Sequence, residues 1–189
     1  MSHTKPLPSL KYLQECFELS EESPSGLVWK VRPQSHFTTS RGCATRNVRD
    51  AGSPAGSLQR DPYFRKQYFR IQISGSVYYA HRVVYSMFHN IEVPVDTQVD
   101  HKDGDGANNA LDNLRLATNS ENKHNVKLLK TNTSGVKGVN LHKASGMWVG
   151  GVMFKGKRYS LGYSHSLEIM ADLVKELRKK LHNDFANHG

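Results

Sequence analysis

The chain has 189 residues, a formal net charge of +9 and only two cysteines. That length suits one or two small domains, each with a modest core. Cys16 and Cys43 form no C-x-x-C pair, which argues against a cysteine-built zinc site. No apolar run follows the initiator Met, and no stretch approaches the ~20 apolar residues of a membrane span. A soluble, cytoplasmic protein without a secretory signal or membrane association is expected. The charge is uneven: residues 1–122 carry 14 Lys/Arg against 13 Asp/Glu, and residues 123–189 carry 12 against 4. A cationic back part points to a polyanion partner, and nucleic acid is the expected one.

Ser9 precedes Leu10, Leu13, Cys16 and Phe17, the spacing of a short amphipathic helix with Ser9 as its N-cap. Ser25-Gly26 turns the chain into a strand, Leu27–Val31. Residues 33–62 are rich in Gly, Ser, Arg and Asn with little periodicity, and predict a long polar loop, ordered on DNA. Tyr68–Ile73 alternates, and Ser74-Gly75 turns it back into Val77-Tyr78-Tyr79 as a hairpin. Ala80, Val83, Val84, Met87 and Phe88 form the apolar stripe of a short helix, with Arg82, Tyr85 and His89 on the other side. Gln98–His101 reads as a strand, Lys102–Asn109 as a turn-rich loop and Leu114-Arg115-Leu116 as a returning strand. Thr118 and Glu121 fit a capping box that places Asn122 in the first turns of a helix.

Thr131–Gly135 reads as a short linker. Beyond it, Gly138–His142, Met147–Phe154 and Arg158–Leu161 predict three antiparallel strands, and a helix starts at Ser166. Leu167, Met170, Leu173, Val174, Leu177 and Leu181 mark its buried face. Arg178, Lys179 and Lys180 crowd its last turn, where the macrodipole favours cations.

The densest chemistry lies at Asp100-His101, followed by Asn113 and Asn122. Asp100 offers a hard oxygen for a divalent cation, and His101 can accept a proton near neutral pH. Asn113 and Asn122 supply amide oxygens that can ligate a metal or orient an imidazole without adding charge. A metal ligand beside a general base is what metal-assisted phosphodiester hydrolysis requires. An EF-hand starting at Asp103 fails, because Ala107, Asn108 and Leu114 occupy positions that need a ligand, a Gly and a Glu. No motif surrounds any serine to suggest a catalytic triad. The sequence leaves a two-carboxylate glycosidase open, but the basic charge argues against it.

The spacing of Asp100-His101, Asn113 and Asn122 resembles the HNH nucleases of β-β-α-metal fold, and in particular their phage and intron homing endonucleases. Tyr79–Tyr85, Val99–Asp105, Asn108-Asn109, Asp112–Arg115 and Glu121-Asn122 carry the likeness over residues ~80–125. The resemblance implies that Asp100 and Asn122 hold one Mg²⁺ or Mn²⁺ per active site. It implies His101 as general base and Asn113 as the residue that braces the loop. His124 and Asn125 stand close enough in sequence to take the ligand role of Asn122. His81 reads as a packing or phosphate-contacting residue, and more readily as a buried, satisfied histidine.

The tail resembles the Apetala-two domain of plant ethylene-response factors, through Ser134–Val139, Gly146-Met147-Trp148, Gly156-Lys157-Arg158, Leu161-Gly162-Tyr163 and the following helix. The resemblance implies a sheet laid in the DNA major groove, with Lys137, Asn140, His142, Trp148, Lys155, Lys157 and Arg158 as candidate DNA contacts. Trp148 reads equally as a core anchor. With few arginines, bidentate guanine readout is reduced.

The expected architecture is therefore α+β: an approach segment at 1–79, an HNH core at 80–130, a linker at 131–135 and a DNA-binding unit at 136–189. The expected function is a site-specific, metal-dependent endonuclease of homing type, acting on double-stranded DNA as a monomer or weak dimer. One active site per chain predicts a nick. The rivals are a DNA-binding regulator with an inactive nuclease fold, and a non-specific nuclease.

Overall fold

A computed structural model describes residues 5–60, 66–118, 128 and 132–182. The chain divides into two compact units, residues 1–117 and 118–189. The class is α+β, with small antiparallel sheets in both units.

In the first unit, helix α1 (Leu10–Cys16) starts at Ser9, whose hydroxyl accepts from the Tyr12 N–H at 3.4 Å. The helix stops one residue earlier than its apolar spacing predicts. Phe17 turns extended and opens strand β1 (Phe17–Leu19), which pairs with β2 (Leu27–Trp29) so that Phe17 faces Trp29. The two rings lie 4.4 Å apart, so Phe17 is buried from a strand rather than from the helix.

The described part of 33–62 is not the long loop expected. It carries a 3-10 turn (Gln34–His36), helix α2 (Ser40–Asp50) and strand β3 (Ser57–Arg60). No apolar periodicity marks this helix in the sequence, because it buries no apolar stripe: Val48 is 89% exposed. Polar anchors hold it instead. Thr39 caps the Gly42 N–H at 3.0 Å, and the Asn47 amide bonds both the N–H and the carbonyl of Arg32 at 3.0 and 2.8 Å. The Arg32 guanidinium lies over the Trp29 and Phe37 rings and reaches Asp50 at 2.6 Å. Burial pushes the Asp50 carboxyl up, but Arg49 and Arg32 together hold it below its ordinary range.

Strands β4 (Gln67–Ile73) and β5 (Ser76–Tyr79) form the expected hairpin, and β3 adds to its open side in the order β3-β4-β5. Ser74 and Gly75 both take positive φ at the turn, 47° and 79°. Helix α3 (Ala80–His89) packs Ala80, Val83 and Val84 into a core with Leu13, Phe17, Leu27, Ile71, Val99 and Leu114. One core thus takes in residues on both sides of position 80. Each large apolar side chain buried there contributes roughly 1.5–3 kcal/mol. Two assignments on α3 change. Phe88 is 50% exposed, whereas Arg82 is buried at 4% exposure. Arg82 is tolerated inside because its guanidinium donates to the carbonyls of Thr97 and Pro94, at 2.7 and 3.2 Å.

Strands β6 (Gln98–His101) and β7 (Leu114–Ala117) pair in register, Asp100 opposite Arg115 and His101 opposite Leu114. The loop between them ends in a 3-10 turn, Leu111–Asn113. The helix expected from the Thr118 capping box lies outside the described residues.

In the second unit, β8 (Val139–His142), β9 (Met147–Phe154) and β10 (Lys157–Ser164) form a sheet of order β10-β9-β8, packed on helix α4 (Leu167–His182). This is the three-strand-plus-helix unit that the pattern predicts. Val139, Val152, Met170 and Val174 make its core. Gly150 lies so close to Met170 and Val174 that a Cβ there would collide with both. Ser134, expected in a linker, is buried and donates to the Val139 carbonyl at 2.7 Å. Among the described residues, no helix is long and apolar enough to cross a membrane.

Candidate active site

The hairpin β6–β7 delivers Asp100 and His101 side by side at the end of a strand, both nearly buried. Burial follows from the register: neighbouring Val99 and Leu114 are in the core, and the strand carries its polar end in with them. Cross-strand Arg115 donates to Asp100 Oδ2 through Nε at 3.2 Å and Nη2 at 3.1 Å. This pair aims the carboxylate and offsets part of the cost of burying it.

His101 is held by a residue to which sequence reasoning assigned no role. Its Nε2 lies 3.0 Å from Asn109 Oδ1, and the Asn109 amide nitrogen donates to the Ser25 carbonyl at 2.9 Å. A carbonyl can only accept, so that second bond settles which end of the Asn109 amide is the oxygen. The oxygen in turn requires a proton on Nε2 of His101. The basic lone pair is therefore on Nδ1. Burial pulls the ring below its ordinary 6.5, against the opposing pull of Asn109 and of the Asp100, Asp103 and Asp105 carboxylates. A neutral imidazole with one nitrogen committed is the form a general base needs. The signal that could have identified Asn109 was present in the Asn108-Asn109 pair. Its partner, Ser25, belongs to a distant turn.

Asn113 closes the loop. Its side-chain oxygen accepts from the Asp103 N–H at 3.1 Å, and its amide nitrogen donates to Asp103 Oδ1 at 3.1 Å and to the Asn108 carbonyl at 2.8 Å. Its own carbonyl accepts from the Lys102 N–H at 2.8 Å. Asp103 also takes bonds from the Asp105 N–H and the Asn108 amide. Burial works against that carboxylate, but these donors hold it below its ordinary range. Gly106 presses on β4, where a Cβ would collide with the Gln67 carbonyl and the Tyr68 ring.

His81, on the first turn of α3, packs edge-on to His101 with ring centroids 4.7 Å apart, and lies beside Tyr79 and Tyr68. Burial, then His101 and Arg82, keep it well below its ordinary pKa. Its Nδ1 is sealed without a hydrogen-bond partner, so it is buried but not satisfied.

Asn122, with His124 and Asn125, lies outside the described residues. Among the described residues no three His, Cys, Asp or Glu side chains gather as a closed metal cluster. What is described is one hard carboxylate at Asp100, the donor type that Mg²⁺ and Mn²⁺ take.

The tail candidates separate by strand parity. Gly150 faces α4, so Trp148 and Val152 on the same strand do too, and Trp148 packs on the core of this unit. Asn140, His142 and Arg158 have the opposite parity and are exposed on the helix-free face. His142 lies edge-on to the exposed Tyr163, 5.4 Å away. Lys155 occupies the β9–β10 turn at φ 47°, and Lys157 opens β10 with its ammonium 5.7 Å from the Tyr159 ring. Lys137 precedes β8, half-buried, and its amine is pulled down to about 8 by desolvation and by Arg178.

The family model for HNH endonucleases matches residues 78–124, the stretch that holds His81, Asp100, His101, Asn109 and Asn113. Protein 3.8 of Escherichia phage T7 is 42% identical over 97 residues, which cover 51% of this chain and 79% of that protein. No solved structure matches the chain. The chain therefore belongs to the family of phage T7 protein 3.8, with an HNH endonuclease match across residues 78–124.

Proposed function

We propose that this protein is a site-specific, divalent-metal-dependent endonuclease of homing type that nicks double-stranded DNA in the host cytoplasm. The observation that carries the reading is the Ser25–Asn109–His101 chain of hydrogen bonds, which commits Nε2 as a donor and so puts the basic nitrogen at Nδ1 of a ring that burial keeps neutral, beside Asp100 in the chain. His101 takes a proton from water. The resulting hydroxide attacks phosphorus, the bond to the 3′ oxygen breaks, and that oxygen leaves with its electron pair. Asp100 and Asn122 would hold one Mg²⁺ or Mn²⁺, whose chemistry is to offset charge on the departing oxygen. Asn113 and Asp103 keep the loop in the shape that presents His101. The C-terminal unit, an Apetala-two-like module, grips DNA with the helix-free face of its sheet, through Asn140, His142 and Arg158. Lys137, Lys155 and Lys157 add charge around it. The HNH endonuclease match at residues 78–124 and the excess of Lys/Arg beyond residue 122 support this division of labour.

The test is cleavage of the DNA flanking its own gene, and of the same locus lacking that gene, with Mg²⁺ or Mn²⁺. Metal-dependent nicking at one mapped position, lost in His101→Ala, is expected. Equal background cleavage by wild type and His101→Ala would overturn the nuclease reading. Cutting at random positions would overturn site specificity alone.

A further inference from the structure

A groove of about 340 Å³ runs between the β3–β4 edge and the loop that leaves His101. One wall is Arg60, at the end of β3, with Lys66 just before β4 and Gln67 at its start. The other is Gly104, Asp105 and Gly106. Arg60 pairs with Gln67 across the two strands, which brings Arg60 and Lys66 to the same edge. Both cations are exposed.

Two features make this groove a built one. Gly106 packs on the Gln67 carbonyl and the Tyr68 ring with no room for a side chain, so the loop is seated against β4. The Gly104 N–H bonds the His101 carbonyl at 2.9 Å, so the acidic wall is tied to the strand that ends in the catalytic pair. Yet among the described residues neither Arg60 nor Lys66 forms an ion pair, although Asp105 lines the same groove. The Asp105 carboxylate is engaged within its own loop, accepting from the Ala107 N–H at 3.0 Å. Among the described residues the cations are left uncompensated beside the candidate site.

We infer that Arg60 and Lys66 form a phosphate clamp that holds the DNA backbone next to the scissile bond. Opposite charge favours a phosphodiester on the cationic wall, and Asp105 repels it from the other, so the strand is confined to one side of the groove. The clamp contributes to binding and registration and does not touch the reacting atoms. This inference rests on the nuclease reading.

The experiment compares wild type with Arg60→Gln/Lys66→Gln by fluorescence anisotropy on duplex DNA over a salt series, alongside single-turnover nicking at saturating DNA. Removing two phosphate contacts should flatten the log Kd against log salt slope by about 2 in all. Thermal melting controls for folding, and both residues are exposed. An unchanged salt slope in a folded double variant overturns the clamp while leaving the nuclease reading intact. Wild type that binds DNA with the expected slope but never cuts it overturns the nuclease reading instead.

Discussion

The Ser25 carbonyl and the His101 ring, far apart in the chain, are joined through the single amide of Asn109. Through that amide a turn in the N-terminal part of the first unit decides which nitrogen of His101 is basic. Asn109→Ala should therefore lower the single-turnover cleavage rate about 10- to 100-fold, the usual effect of losing an orienting partner. DNA binding measured by anisotropy should be unchanged. A loss of binding with an unchanged rate would contradict the role given to Asn109.

The pH dependence has a defined sign. His81 and His101 both have folded pKa values below the unfolded value of 6.5. As pH falls through 6.5, the unfolded chain takes up protons that the folded chain resists. Stability is thus complete above 6.5 and declines between 6.5 and the folded values, by up to about 1.4 kcal/mol per pH unit for each ring. His81→Phe removes one of the two groups and should make Tm less sensitive to pH between 6.5 and 5. The cleavage rate should fall on the acid side with a midpoint below 6.5, because His101 must be neutral to accept a proton.

Gly106→Ala tests the seating of the loop on β4. Its Cβ would meet the Gln67 carbonyl and the Tyr68 ring, so one of them must move, at a cost of about 1–3 kcal/mol. Both Tm and cleavage should drop. Gly75→Ala is a different kind of control: it meets no neighbouring atom and costs only the strain of a positive φ, 79°. It should leave cleavage intact.

In the C-terminal unit, parity separates stability from binding. Trp148→Ala should destabilise by about 2–3 kcal/mol, below the full cost of a buried Trp because it is only partly covered. His142→Ala and Arg158→Ala should leave Tm within about 1 °C, since both are exposed, and should weaken DNA binding. Thermal melting and anisotropy on the three variants distinguish the roles. A binding defect in Trp148→Ala without a melting defect would move Trp148 to the DNA side.

Much of this protein was legible locally. Strong alternation and turn residues placed the Tyr68–Tyr79 hairpin, the β6–β7 pair and the three tail strands, because a strand's period of two depends only on adjacent residues. The position of Asp100-His101 at a strand end was visible for the same reason. Helix α2 was not, since its stability comes from Thr39, Asn47 and the Arg32–Asp50 pair rather than from an apolar stripe. Nor was the burial of Arg82, which depends on two carbonyls in the following loop.

The sequence by itself determined the α+β class, the chemistry available at Asp100-His101, and a cationic tail built of three strands and a helix. Only the tertiary structure decided that Asn109, anchored on Ser25, commits His101 Nε2, that Trp148 turns inward while Arg158 turns out, and that Arg60 on β3 and Lys66 just before β4 stand beside the loop that follows His101. Those outcomes are set by hydrogen-bond partners and strand registers between distant segments, and residue order alone does not say which segments meet.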